Sequence, residues 1–144
     1  MLAKLLIAFS LMALCVTIHS MGIVSVFRWL QVRMARGARG FRPSVWRLIR
    51  VASWTVLLHL LQIIAWACIY AAGGAMPDFT TASYFSAVTY TTTGYGDLVL
   101  PEEWRLVGGV EALTGILMCG LSTGMFFAVF SKLFHVHDDT TATP

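Results

Sequence analysis

Asp78-Phe79-Thr80-Thr81-Ala82-Ser83-Tyr84-Phe85-Ser86-Ala87-Val88-Thr89-Tyr90-Thr91-Thr92-Thr93-Gly94-Tyr95-Gly96-Asp97 is moderately apolar and too short to cross a bilayer twice. One spanning helix alone needs about 20 apolar residues. Asp78 or Thr80 can cap a helix that begins near Thr81. Run to Thr91 at 1.5 Å per residue, that helix is roughly 16 Å long, half the depth of a bilayer. The segment must therefore enter and leave on one side. Non-helical backbone after the helix is tolerated at that depth only where it lines water or is buried in protein.

The flanks on both sides are membrane spans. Residues 5–27 and 51–76 carry no charge, and residues 106–131 carry only Glu111. Each block is long enough to cross as a helix. The first exceeds a signal-peptide core of about 7–15 residues and lacks a clear cleavage site, so it is read as a retained span. Composition agrees: of 144 residues, 58% are hydrophobic and 12% charged, with a mean hydropathy of +0.75. Soluble domains carry about 25% charged residues, so too little polar surface remains to clothe a globule. The expectation is one all-α integral membrane domain with almost no soluble mass.

Charge sets the direction. Arg28, Arg33, Arg36, Arg39, Arg42, Arg47 and Arg50 surround the first connection, which the positive-inside rule assigns to the cytoplasm. The amino terminus is then outside and the carboxyl terminus inside. Asp78, Asp97, Glu102 and Glu103 fall in the second connection, where an external acidic face gathers cations. The net charge of +3 thus reflects topology and contact with anionic lipid head groups near Arg33, Arg36, Arg39 and Arg42, not nucleic acid. Cys15, Cys68 and Cys119 lie inside spans without any CxxC pair and are read as buried, inert thiols.

Thr92-Thr93-Gly94-Tyr95-Gly96-Asp97 resembles the filter signature TxGYGD of the tetrameric potassium channels at every fixed position. The resemblance covers roughly residues 48–134 and implies an outer helix at 48–74, a pore helix at 80–91, a filter at 92–97 and an inner helix at 104–134. It leaves an additional helix at 1–30, a basic cytoplasmic loop at 31–47 and a short tail at 135–144. It implies four copies around a fourfold axis, because each strand supplies about one oxygen per level of an ion path. The permeant potassium ion would lie at Thr92, Thr93, Gly94 and Tyr95, with no other cofactor.

The chemistry of that stretch can be argued from its residues. A potassium ion shedding water needs consecutive carbonyls aimed at one axis, whereas ordinary extended backbone alternates them. Gly94 and Gly96 adopt left-handed dihedrals at little cost, which permits such a run. Thr93 and Tyr95 would point away from the path and pack behind it, with the Tyr95 hydroxyl seeking a partner. Thr92 can add its hydroxyl at the inner end.

Departures from the family pattern are visible. Thr93 stands where Val or Ile is usual, and Tyr84 and Phe85 stand where many relatives carry a Trp pair that braces the filter tyrosine. Val88 replaces a glutamate that influences inactivation in some relatives. Glu111 is expected behind the filter, bonded to the pore helix or filter backbone; a carboxylate facing the pore is the alternative. Alignment assigns Gly115 to the family's gating hinge, while Gly120 and Gly124 read as a close-packing pair. Helical periodicity from Gly115 turns Ile116, Cys119 or Gly120, Thr123 and Phe127 toward the cavity, with Phe127 as the inner constriction.

Other features carry bland readings. The arginines at 33, 36, 39 and 42 repeat like a voltage sensor, but residues 1–77 hold no acid to pair with them, and Gly37, Gly40 and Pro43 interrupt a helix. His19 and His59 fall at comparable depth and read as packing partners, with pH sensing as the alternative. His135, His137, Asp138 and Asp139 could bind a metal from a short tail. No site combines nucleophile, base and orienting group, so an enzyme is not expected. Gating is assigned to the pore, lipids, pH or an unidentified regulatory subunit, since no sensing domain fits after His135. The expected function is passive potassium conduction in a plasma membrane, taken as bacterial. A weakly selective cation channel and a non-conducting partner subunit or scaffold are the alternatives.

Overall fold

The computed structural model describes residues 2–36 and 40–134. Four helices of more than one turn follow in order: α1 (Leu2–Arg36), α2 (Phe41–Ala72), α3 (Phe79–Tyr90) and α4 (Arg105–Phe134), the last preceded by a single 3₁₀ turn at Glu102–Trp104. No strand occurs among the described residues. Three helices are long and apolar enough to cross a membrane: Leu2–Ala35, Phe41–Ala72 and Glu102–Phe134.

The connection expected at 31–47 is mostly helix. α1 continues to Arg36 and α2 begins at Phe41, because Gln31, Val32, Arg33, Met34 and Ala35 include no breaker and Arg and Met are good helix formers. Gly40 takes φ 148° ahead of α2. Pro43 lies in the first turn of α2, where its missing N–H is not needed. Arg33 and Arg42 thus belong to different helices, which removes the single helical stripe a voltage sensor needs. Arg39 and residues 135–139 lie outside the described residues.

α1 packs on α4 and α2, while α3 is wedged between α2 and α4. Two apolar clusters result. One gathers Cys15, Trp66, Tyr70, Tyr90, Trp104 and Met118 around α3. The other joins Val26, Leu30 and Val51 to Met125, Val129 and Leu133 at the arginine-rich end. A polar layer of His19, Gln62 and Ser122 separates them along all three long helices. Lys4 reaches over Trp104 at 4.3 Å from the ring centroid and lies 3.7 Å from Glu103, tying the start of α1 to the turn before α4. Cys15 is buried as expected, but Cys68 and Cys119 are exposed on the outside of the single chain.

Candidate functional site

The site begins with the cap of α3. Asp78 accepts from the Thr81 amide at 2.9 Å and from the Thr81 hydroxyl at 2.7 Å. These bonds hold the Asp78 carboxyl below the usual carboxylate range.

The other end of α3 closes in a Schellman arrangement. The Thr93 amide donates to the Val88 carbonyl and the Thr92 amide to the Thr89 carbonyl, both at 2.9 Å. The residue that turns left-handed in this motif is ordinarily glycine, yet here it is Thr92, at φ 59°. A β-branched residue in that region is strained by about 1–2 kcal/mol. Sequence reasoning missed this because it treated Thr92 as a side-chain donor and not as the residue that redirects the chain.

Beyond it, Gly94 at φ 56° and Gly96 at φ 79° take the left-handed dihedrals expected of them. Residues 91–97 are all exposed on one face of the chain. Tyr95 is 72% exposed, and its hydroxyl forms no hydrogen bond among the described residues. The braces expected for it go elsewhere. Tyr84 donates to Asp97 at 2.7 Å, and Phe85 turns inward to meet the edge of Tyr70 with centroids 5.4 Å apart.

Behind α3 stands Glu111, with 0% exposure. One carboxylate oxygen accepts from Ser86 of α3 at 2.5 Å and the other from Tyr70 of α2 at 2.6 Å. The carboxylate therefore joins three helices and does not face the open side. Ser86 and Tyr70 carried no sequence signal, since their role depends on how each helix is rotated.

The histidines do not bond each other. Their rings lie 5.1 Å apart, and both reach the Ser122 hydroxyl, His19 at 2.9 Å and His59 at 3.0 Å. Gln62 lies 3.1 Å from the other nitrogen of His19, the Tyr90 hydroxyl 3.1 Å from the other nitrogen of His59, and Tyr90 donates to Gln62 at 2.5 Å. Counting donors closes a ring: Tyr90 to Gln62, Gln62 to His19, His19 to Ser122, Ser122 to His59, and His59 to Tyr90. Each group gives one bond and takes one, provided both imidazoles are neutral and of opposite tautomers. The ring draws on all four helices. Gln62, the lone amide within its apolar run, could have been flagged by that polarity; Ser122 could not. Gln62→Leu strands one nitrogen of His19 and the hydroxyl proton of Tyr90, whose bonds to Ser122 and His59 remain, and is expected to cost about 1–3 kcal/mol per chain, read as a lower thermal midpoint of the purified protein.

Within the chain, the closest approach to a glycine of α4 falls at Gly115. A Cβ on Gly115 would collide with the Tyr90 backbone carbonyl, whereas Gly120 and Gly124 have open space beside them. Gly115 is where α4 touches the end of α3. Gly115→Ala must push the two helices apart, because the obstacle is backbone that cannot rotate away, and is expected to destabilise by about 1–3 kcal/mol or more. A lower thermal midpoint of the purified protein would report it. Ile116, Cys119, Thr123 and Phe127 all lie on the exposed side of α4, with Phe127 74% exposed.

Three apolar helices, a half-length helix capped at both ends and a glycine-spaced segment presented on an open face define a helical membrane protein built around that segment. The model of the ion channel family matches residues 53–132, and the chain belongs to that family. Within it, 65 residues are 37% identical to the potassium voltage-gated channel protein Shal of Drosophila melanogaster, 44% of this chain but 11% of that protein. No solved structure matches the chain.

Proposed function

We propose that this chain is one subunit of a homotetrameric, potassium-selective channel in which Thr92, Thr93, Gly94, Tyr95, Gly96 and Asp97 form the filter. The observation that carries the reading is the run after α3: two glycines and Thr92 at positive φ on a fully exposed stretch. Such dihedrals allow successive carbonyls to face one axis, where they can replace the water shell of a potassium ion, and four copies complete each ring. The exposure of Tyr95 supports the assembly, since its hydroxyl lacks a partner within one chain. α3 acts as the re-entrant pore helix, its partially negative carboxyl end directed at the cavity.

Ile116, Cys119 and Thr123 then line the cavity and Phe127 narrows its inner end. Gly115 serves as pivot: contact with the Tyr90 carbonyl anchors the upper half of α4, and the arm bearing Phe127 moves below it. The amino terminus lies outside and the carboxyl terminus inside a plasma membrane, taken as bacterial, with anionic head groups near Arg33, Arg36, Arg39 and Arg42 and a regulatory subunit as a further partner. Potassium is the permeant ion and no cofactor takes part.

The strain at Thr92 gives a separable expectation. Thr92→Gly relieves about 1–2 kcal/mol per chain and removes the innermost hydroxyl ligand, so the variant should melt higher yet lose sensitivity to barium block. Potassium flux from liposomes containing the purified tetramer, blocked by barium, tests the reading. Equal sodium and potassium flux would favour a weakly selective cation channel, and tetramers without flux a partner subunit or scaffold.

A further inference from the structure

The arginine-rich ends of α1 and α2 enclose two adjoining cavities. The first, of about 280 Å³, is lined by Trp29 and Arg33 of α1 and by Pro43, Trp46, Arg47 and Arg50 of α2. The second, of about 430 Å³, continues from it along the same helix pair and is mostly apolar, with Val26, Val51, Trp54 and Leu57 in its walls. Trp29 and Arg50 belong to both. We infer that this trough is a binding site for one anionic phospholipid, its phosphate held by the arginines and an acyl chain laid along the apolar cavity.

Dimensions, chemistry and exposure agree. From Arg33 back to Ser25 on α1 is roughly 12 Å at 1.5 Å per residue, and from Trp46 to Leu57 on α2 roughly 16 Å. Half of a hydrocarbon core of about 30 Å is about 15 Å, so the trough is one leaflet deep. Guanidinium forks match phosphate oxygens bidentately, and residues 1–77 contain no acid, so neither wall contributes a competing carboxylate. Tryptophans favour the level where head groups meet chains. Trp46, Trp54 and Leu57 are 66%, 47% and 57% exposed, which leaves the trough open to lipid along its length.

The back wall is also informative. Val26 and Val51 belong to the apolar cluster that holds Met125, Val129 and Leu133 of α4. A lipid seated between α1 and α2 therefore braces the end of α4 that carries Phe127. This gives the first helix a purpose that the pore does not supply, and it does not depend on potassium selectivity.

The test uses the full chain in nanodiscs and vesicles. Phosphatidylglycerol with brominated acyl chains should quench tryptophan fluorescence more strongly than brominated phosphatidylcholine at equal mole fraction. Native mass spectrometry should retain phosphatidylglycerol over phosphatidylcholine by about a hundredfold, since each of the three arginines lining the trough contributes roughly a factor of five. Arg33→Gln with Arg50→Gln should cut that preference to about fivefold, and the paired Lys variants should keep more of it. Equal quenching by the two lipids in the wild-type protein would overturn the site whether or not the variants fold. Inorganic phosphate that raises the thermal midpoint as much as phosphatidylglycerol does would also overturn it, because the apolar cavity would then play no part.

Discussion

Gly94→Ala is expected to abolish potassium flux, a fall of more than a hundredfold against wild-type tetramers at equal protein. Gly94 has φ 56°, and an alanine held there costs about 1–2 kcal/mol. Four chains share one path, so the ordered arrangement loses about 4–8 kcal/mol, and each 1.4 kcal/mol is a factor of ten in its population. Open space beside the residue does not help, because the penalty arises in the alanine backbone itself. Gly109→Ala is the control: Gly109 also has open space but lies within α4 at ordinary helical dihedrals. There alanine improves helix propensity, and flux should stay within a few fold. A Gly94→Ala protein that conducts normally would mean that the left-handed dihedral is not needed for permeation.

The second large effect falls on assembly. Glu111→Ala removes the acceptor for Ser86 and Tyr70 together and leaves a void between α2, α3 and α4. The Tyr70 hydroxyl is stranded, while Ser86 keeps the Ile63 carbonyl at 2.9 Å, and that loss with the cavity is expected to cost about 2–5 kcal/mol per chain. The purified protein should show a much lower thermal midpoint and a shortened lifetime as a tetramer. Glu111→Gln keeps one acceptor oxygen and should fall between. Normal conductance and inactivation in single-channel recordings of Glu111→Gln would reduce Glu111 to a structural polar residue.

What could be read from the sequence and what could not divide along one physical line. Spans, the half-length helix and the need for positive φ at Gly94 and Gly96 follow from local composition, and residues 78–97 carried most of that information. Lone polar residues in apolar runs were also visible: His19, His59 and Glu111 each announced a partner. Which partner it was depends on the rotation and depth of another helix, which periodicity does not set. Ser122, Ser86 and Tyr70 therefore appeared only in the fold. The same limit explains the glycines of α4. Spacing marks Gly120 and Gly124 as a close-packing pair, but it does not show that Gly115 faces the end of α3. In the arginine-rich connection Gly37, Gly40 and Pro43 argue against one long helix, but α1 runs to Arg36 and α2 begins at Phe41, since arginine supports a helix well and Pro43 is tolerated in a first turn.

The central claim is that Thr92 to Asp97 distinguish potassium from sodium when four chains meet. The most direct measurement is the reversal potential of single channels in a planar bilayer, with potassium on one side and an equal concentration of sodium on the other. The account predicts a strongly displaced reversal potential, with current carried by potassium alone and lost in Gly94→Ala. A reversal potential near zero, with sodium and potassium passing alike through the wild-type tetramer, would contradict it.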